Sequence, residues 1–272
     1  SSSSTDAHDA LNVLDEDPLN TNNVILLYSG RSESKTNWPA WNREHVWCNS
    51  YGLDYVEPAY SDLHNLRAAD ANVNSSRGNE YYDWSDTNSP TYKFPAHVEA
   101  PLCSSDSDSW EPSDDVKGDV ARSVFYMDVR YEGDSGEPDL VLSEDVSSIS
   151  SATNFMGKLG VLLQWHLLDP VDDRERGRND QIHDLYQGNR NPFIDRPEWV
   201  QSVFIPELLI VVSNDVLKAV WPSGMADMGL EAAGELGGQW NAVPNIPSFE
   251  SGNWTVEQSI STQRFYRLIQ EN

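Results

Sequence analysis

An α+β chain with a small all-β appendage is the architecture this sequence predicts. Over its first 205 or so residues, short strand-like runs such as NVILLYSGR (23–31) are interleaved with longer stretches of helical spacing. Several of those stretches stop at glycine or follow proline, the usual helix punctuation. After about residue 205 the texture changes to short apolar runs broken by Gly, Pro and Asn, as in LLIVVSNDVLKAVWP and NWTVEQSISTQRFYRL. A chain of 272 residues accommodates one large domain or a medium one plus a small one. The division read here is a polar tail over 1–20, a main domain over 21–205 and a β-rich module over 206–272.

In order along the chain, DALNVLDEDP supplies a short helix within an otherwise loosely ordered terminus. NVILLYSGR reads as a buried strand ending at Gly30, and REHVW (43–47) as a second strand. DLHNLRAADANVNSSRGN (62–79) carries apolar residues at 63, 66 and 73, so a helix is expected there. At 100° per residue, Leu63, Leu66, Asp70, Val73 and Arg77 share one face of it, and Asn65, Ala69, Asn72 and Ser76 another. PSDDVKGDVARSVFYMDVRYEG (112–133) aligns Val116, Val120, Val124 and Met127 in a stripe and stops at Gly133. NFMGKLGVLLQWHLLD (154–169) and PVDDRERGRNDQIHDLYQG (170–188) are two further helices, the second opened by Pro170 and closed by Gly188.

The charge balance is extreme: 18 basic against 44 acidic side chains leave a net −26. This is either a solubility surface or an adaptation to saline water, where ions screen self-repulsion. It argues against a partner held only by long-range attraction to polyanions. No run of about 18 apolar residues exists, so no spanning helix is expected. The opening SSSSTDAHD reads as the trimmed terminus of a mature secreted protein. In that setting Cys48 and Cys103 are expected to pair in a disulfide, with two free thiols as the alternative. Two cysteines alone make no zinc site.

The segment WNREHVWCNS (41–50) concentrates the chemistry. His45 is a candidate general base and Glu44 a candidate oxygen ligand for a hard cation. Neighbours on a regular strand point to opposite faces, so both serve one site only at a strand end or a distorted step. Asn65 is either a second ligand or a helix cap. Arg77 is either a buried partner of Asp70 or a phosphate contact. His64, His166 and His183 read as structural histidines, and the loop QGNRNPF (187–193) either pins the fold or binds phosphate.

These segments resemble the bacterial endonuclease I family, extracellular nucleases of the ββα-metal (His-Me finger) type. The resemblance rests on YSGR (28–31), WNREHVW (41–47), SDLHNLRAADANVNSSRGN (61–79), EPSDDVKGDVARSVFYM (111–127), LLQWHLLDPVDDRERGRNDQI (162–182) and YQGNRNPFID (186–195), in that order. It lapses at Cys48, where a proline commonly follows, and after about residue 205. It implies a ββα-metal finger core with His45 as general base. Glu44 and Asn65 are then the protein ligands of one Mg²⁺, or of Mn²⁺ or Ca²⁺ in its place. Arg31 and Arg77 contact phosphate, and Arg43, Asn74, Asn189, Arg190 and Asn191 bind substrate or support the site. The implied activity is a secreted, monomeric endonuclease that cuts DNA, or RNA, with little sequence preference to 5′-phosphate ends, and the acidic charge balance adds the expectation that it is salt-tolerant. The alternative is an inactive secreted protein that binds through its C-terminal β module.

Overall fold

The short helix expected within the polar terminus is present. The computed structural model describes residues 6–150, 153–204, 208–213, 216–222, 228–235, 238–244, 247–250, 253–259 and 265–270. Helix α1 (Ala7–Leu14) is capped by Asp6, whose carboxylate accepts from the His8 amide. Its Ala10, Leu11 and Leu14 join Val24, Leu26, Trp41, Leu63, Leu66, Ala68 and Ile182 in one core cluster. Strand β1 (Asn20–Ile25) pairs antiparallel with Glu16–Asp17 on one side and with β2 (Ser32–Ser34) on the other.

Strands β3 (Trp41–His45) and β4 (Leu66–Asp70) form an antiparallel pair, in register from Trp41↔Asp70 to His45↔Leu66. Helix α2 (Ala71–Arg77) follows β4 without a loop. The helix expected over 62–79 is therefore confined to its second half. Every residue of β4 is buried, and a strand covered on both faces shows no alternation, so its apolar positions fell by chance on a helical spacing. Asp70 makes the break: its carboxylate accepts from the amides of Asn72 and Val73, capping α2.

Helix α3 (Lys117–Arg130) is central, with Val120, Ala121, Val124, Phe125 and Met127 all fully buried. It is flanked by α4 (Leu159–Leu168) and α5 (Asp173–Ile182), both shorter than the spans expected from spacing. Asp172 caps α5, so Pro170 and Val171 lie before the helix. Buried Arg122 of α3 donates Nε to Glu175 Oε1 at 2.8 Å and Nη2 to Oε2 at 2.5 Å, a two-pronged bond that locks α3 to α5.

The chain divides into two compact units, Ser1–Pro197 and Glu198–Asn272. The boundary read at about residue 205 lies outside the described residues. The second unit opens with the helix Trp199–Phe204. It contains a four-stranded antiparallel sheet in the order Leu209–Ser213, Val216–Pro222, Asn253–Ser259, Ser248–Glu250. In a second sheet Met228–Ala233 lies between Asn241–Ala242 and Phe265–Gln270. Leu217, Ala219, Trp221, Leu230 and Val256 form its core.

The expected disulfide is absent: Cys48 and Cys103 are both free and buried. Each thiol has a different neighbour. Cys103 Sγ donates to the Tyr28 carbonyl at 3.4 Å, and the Cys48 thiol lies against Arg77. Burial pushes both thiols up to about 11, so they stay protonated and inert.

Candidate active site

Strand β3 sorts its side chains by alternation. Asn42 and Glu44 meet helix α2, and Arg43 and His45 take the other side. On α2, Asn74 and Arg77 are one turn apart and fall on the same face. Asn74 Nδ2 donates to Asn42 Oδ1 at 2.8 Å and to the Arg43 carbonyl at 3.3 Å. One turn on, Arg77 Nη1 lies 3.3 Å from Glu44 Oε1. Two rungs thus tie helix to strand, an amide pair and an ion pair.

Glu44 is 2% exposed. Its Oε1 also accepts from the Tyr28 hydroxyl at 2.6 Å, and that hydroxyl shares a 2.7 Å bond with the Tyr82 hydroxyl. Burial raises the Glu44 carboxyl above its ordinary value, and the Arg77 charge and the Tyr28 hydroxyl work against that rise. Arg77 donates onward to the His45 and Val46 carbonyls at 3.3 and 3.1 Å, and its guanidinium lies 4.7 Å from the centre of the Tyr82 ring. It therefore meets neither expectation for it. Asp70 is held by Arg31 instead, and Arg77 is only 1% exposed, with Nη1 and Nη2 bonded inside the protein and Nε left without a partner among the described residues.

His45 is held from the other side. Its Nε2 lies 2.9 Å from the Tyr60 carbonyl oxygen, and its ring stacks on Tyr60 at 4.9 Å and 25°. A carbonyl only accepts, so the bond fixes the proton on Nε2 and leaves Nδ1 as the acceptor. Burial lowers the imidazole below its ordinary value, against the Tyr60 bond, and the charges of Arg43 and Arg77 lower it further. The ring is thus a neutral, oriented base at neutral pH. It lines a cleft of about 320 Å³ with Arg43, Asn42, Tyr55, Tyr60 and Trp38. Two larger cavities of about 510 and 560 Å³ lie away from His45. At the first, the Asp62 carboxylate is already saturated by Tyr126, Tyr131, Gln187 and the His64 amide.

A model of the family described as Endonuclease I matches residues 4–198. The chain belongs to the Endonuclease I family. It is 51% identical over 200 residues to the extracellular ribonuclease of Bacillus subtilis (strain 168), and 48% identical over 200 residues to that of Bacillus amyloliquefaciens. Each match covers 72% of this chain and 66% of the relative.

Within this Endonuclease I chain, the remaining expected site residues are spread more widely than the sequence implied. Asn65 is fully buried; its Oδ1 accepts from the Trp47 amide at 2.6 Å and its Nδ2 donates to the Trp47 carbonyl at 3.2 Å. That pins the chain just past β3 and commits the amide to the Trp47 backbone. Arg31 pairs with Asp70 and Glu33. Asn189 donates to the Tyr126 hydroxyl at 2.7 Å, Arg190 binds Asp180 and Asp195 at 2.7 Å each, and Asn191 donates to the Arg122 carbonyl at 2.9 Å. Those three fasten the 187–193 loop to α3 and α5 and serve the fold. Arg43 faces the cleft and has no ion pair among the described residues. Buried His64 is pushed down to about 4, mainly by desolvation, and His166 Nε2 donates to the Pro197 carbonyl at 3.1 Å.

Sequence reasoning missed Tyr28, whose hydroxyl donates to Glu44, Tyr82, whose hydroxyl bonds to that of Tyr28, and Tyr60, whose carbonyl sets the tautomer of His45. Only Tyr28 left a signal, inside YSGR. As a metal site, Glu44 and Asn74 offer carboxylate and carboxamide oxygens on one strand–helix face, and the amide nitrogen of Asn74 is already turned to β3. No group of three or more His, Cys, Asp or Glu side chains able to hold a metal occurs among the described residues. An oxygen set with few protein ligands fits a hard, hydrated divalent cation and not zinc.

Proposed function

We propose that this chain is a secreted, divalent-metal-dependent endonuclease that hydrolyses phosphodiester bonds of RNA or DNA with little sequence preference, leaving 5′-phosphate ends. The carrying observation is the bond from His45 Nε2 to the Tyr60 carbonyl, which leaves Nδ1 lone-paired beside the cleft. His45 Nδ1 takes the proton of the attacking water. Glu44 and Asn74 hold Mg²⁺, or Mn²⁺ or Ca²⁺, through oxygen. Asn74 replaces Asn65 in this role because the Asn65 oxygen is committed to the Trp47 amide. A divalent cation held by these two residues would supply charge stabilisation for the phosphate and the leaving 3′-oxygen. Arg43 binds a substrate phosphate from the cleft, while Arg77 holds Glu44 in place.

RNA stands beside DNA because both Bacillus relatives bear the name extracellular ribonuclease. The same names support export, and among the described residues no helix is long and apolar enough to cross a membrane. Digestion of plasmid DNA and of a long RNA, with Mg²⁺ and with EDTA, tests the reading. Cleavage abolished by EDTA and by His45→Ala, with the circular dichroism spectrum unchanged, is expected. Cleavage that persists in either case overturns it.

A further inference from the structure

The cleft around His45 carries more exposed aromatic surface than proton transfer uses. Tyr60 stacks on the imidazole, and Tyr55 leans on Tyr60 at 4.9 Å and 46°, so three rings run outward in series from the base. Tyr55 is 71% exposed and sits at φ +62, a backbone conformation that bulky side chains rarely adopt. The Asn49 side chain fixes that geometry by accepting from the Tyr55 amide at 3.3 Å. Trp38 lines the same cleft, 44% exposed, and is braced edge-on against His8 at 4.4 Å and Trp41 at 5.3 Å. Arg43 lines the same cleft and supplies a cation.

We infer that Tyr55 and Trp38 form a stacking platform for unpaired nucleobases next to the phosphate presented to His45, so that the preferred substrate is a single strand, of RNA or DNA. Bases in a duplex already stack on one another, whereas a single strand offers free base faces to aromatic side chains. The chain's own charge favours this mode. At net −26 it repels a polyanion at long range, and stacking supplies affinity that needs no positive field. Stacking also tolerates every base, in keeping with little sequence preference. The inference rests on the nuclease reading for the position of the phosphate.

The test uses a short labelled oligonucleotide, the same strand with abasic sites around one cleavable bond, and its duplex, each in ribo and deoxyribo form. Wild-type protein is expected to cut the intact strand faster than either the abasic strand or the duplex, in both sugar series. Tyr55→Ala lowers kcat/KM on the intact strand about 10-fold or more, chiefly through KM, and shrinks the preference for the intact over the abasic strand, with Trp38 retaining the remainder. Tyr55→Phe, which keeps the ring, retains the wild-type ratio. Anisotropy of the same strands in EDTA reads the platform without the chemistry, so a protein that binds with this pattern and cuts nothing fails the nuclease reading alone. Equal handling of intact and abasic strands by the wild type, or an unchanged ratio in Tyr55→Ala, overturns the platform.

Discussion

Arg77 reaches back from α2 to Glu44, placing Nη1 3.3 Å from Oε1 with both side chains buried. The pair joins the helix to the strand that carries His45, and Nη1 and Nη2 of the guanidinium also donate to two backbone carbonyls, while Nε has no hydrogen-bond partner among the described residues. Arg77→Ala leaves a buried carboxylate without its counter-charge, and a loss of about 3–5 kcal/mol is expected. Arg77→Lys keeps the charge without the fork and should recover only part of that loss. Urea unfolding of the three proteins measures it; a loss under about 1 kcal/mol for Arg77→Ala would falsify the structural role.

His45→Ala should lower kcat by about 10²- to 10⁴-fold, the usual worth of a positioned general base. The ring is partly exposed and its one hydrogen bond goes to a carbonyl, so the melting temperature should change little. Single-turnover cleavage with saturating Mg²⁺ reads the chemical step; a decrease confined to KM would remove His45 from proton transfer.

The two asparagines separate by function. Asn74→Ala should abolish metal-dependent cleavage, and extra Mg²⁺ should restore part of it. Asn65→Ala removes two side-chain bonds to the Trp47 backbone in a buried site, so it should cost about 1–3 kcal/mol of stability. The folded fraction of that variant should still cut. Activity titrations against Mg²⁺ beside thermal melts tell the two apart, and the reverse pattern returns the ligand role to Asn65.

Acid affects activity and stability through different histidines. His45 must be neutral to act and its folded value lies below 6.5, so kcat/KM should stay flat from pH 8 to 6.5 and fall only below that. His64 is buried neutral, pushed down to about 4 from 6.5. Its contribution is full above pH 6.5 and is lost as pH falls through about 4, a change of about 3 kcal/mol. His64→Phe should therefore show a smaller drop in unfolding free energy between pH 6.5 and 4 than the wild type. Parallel pH curves for the two proteins would argue that His64 does not titrate there.

Salt should act in two directions. It weakens phosphate contacts but screens the repulsion set by a net charge of −26. Initial rates against NaCl should rise to an optimum on the order of several hundred millimolar before falling. A monotonic fall from low salt counts against the screening account.

Much of the site was legible because its chemistry is carried in one short segment. Glu44 and His45 could be nominated from residue type alone, and strand alternation foretold that they point apart. The strand–helix junction at Asp70 was not legible from hydrophobic spacing, since a strand buried on both faces has no period of its own. Its capping signal, an aspartate two residues before a helical amide, was present but read as part of a longer helix. The protein partners of Arg31 and Arg77 were not legible for another reason. Guanidinium type announces an anion partner without saying whether that partner is Asp70, Glu44 or a substrate. Tyr60 acts through its carbonyl, which any residue would supply, so no side-chain pattern could mark it. Cysteine parity predicted a disulfide, but parity carries no distance, and the two thiols lie against different partners.

Asp70 accepts from the Asn72 and Val73 amides through Oδ1, while its Oδ2 holds Arg31. One carboxyl group therefore sets both the rotation of α2 about its axis and the position of the segment that follows Tyr28. In a library randomised at this position and selected for cleavage, asparagine would retain the cap and lose the arginine, and glutamate would move both oxygens outward. Aspartate alone satisfies the two demands at once, so this inconspicuous junction should tolerate fewer replacements than any exposed residue of the cleft.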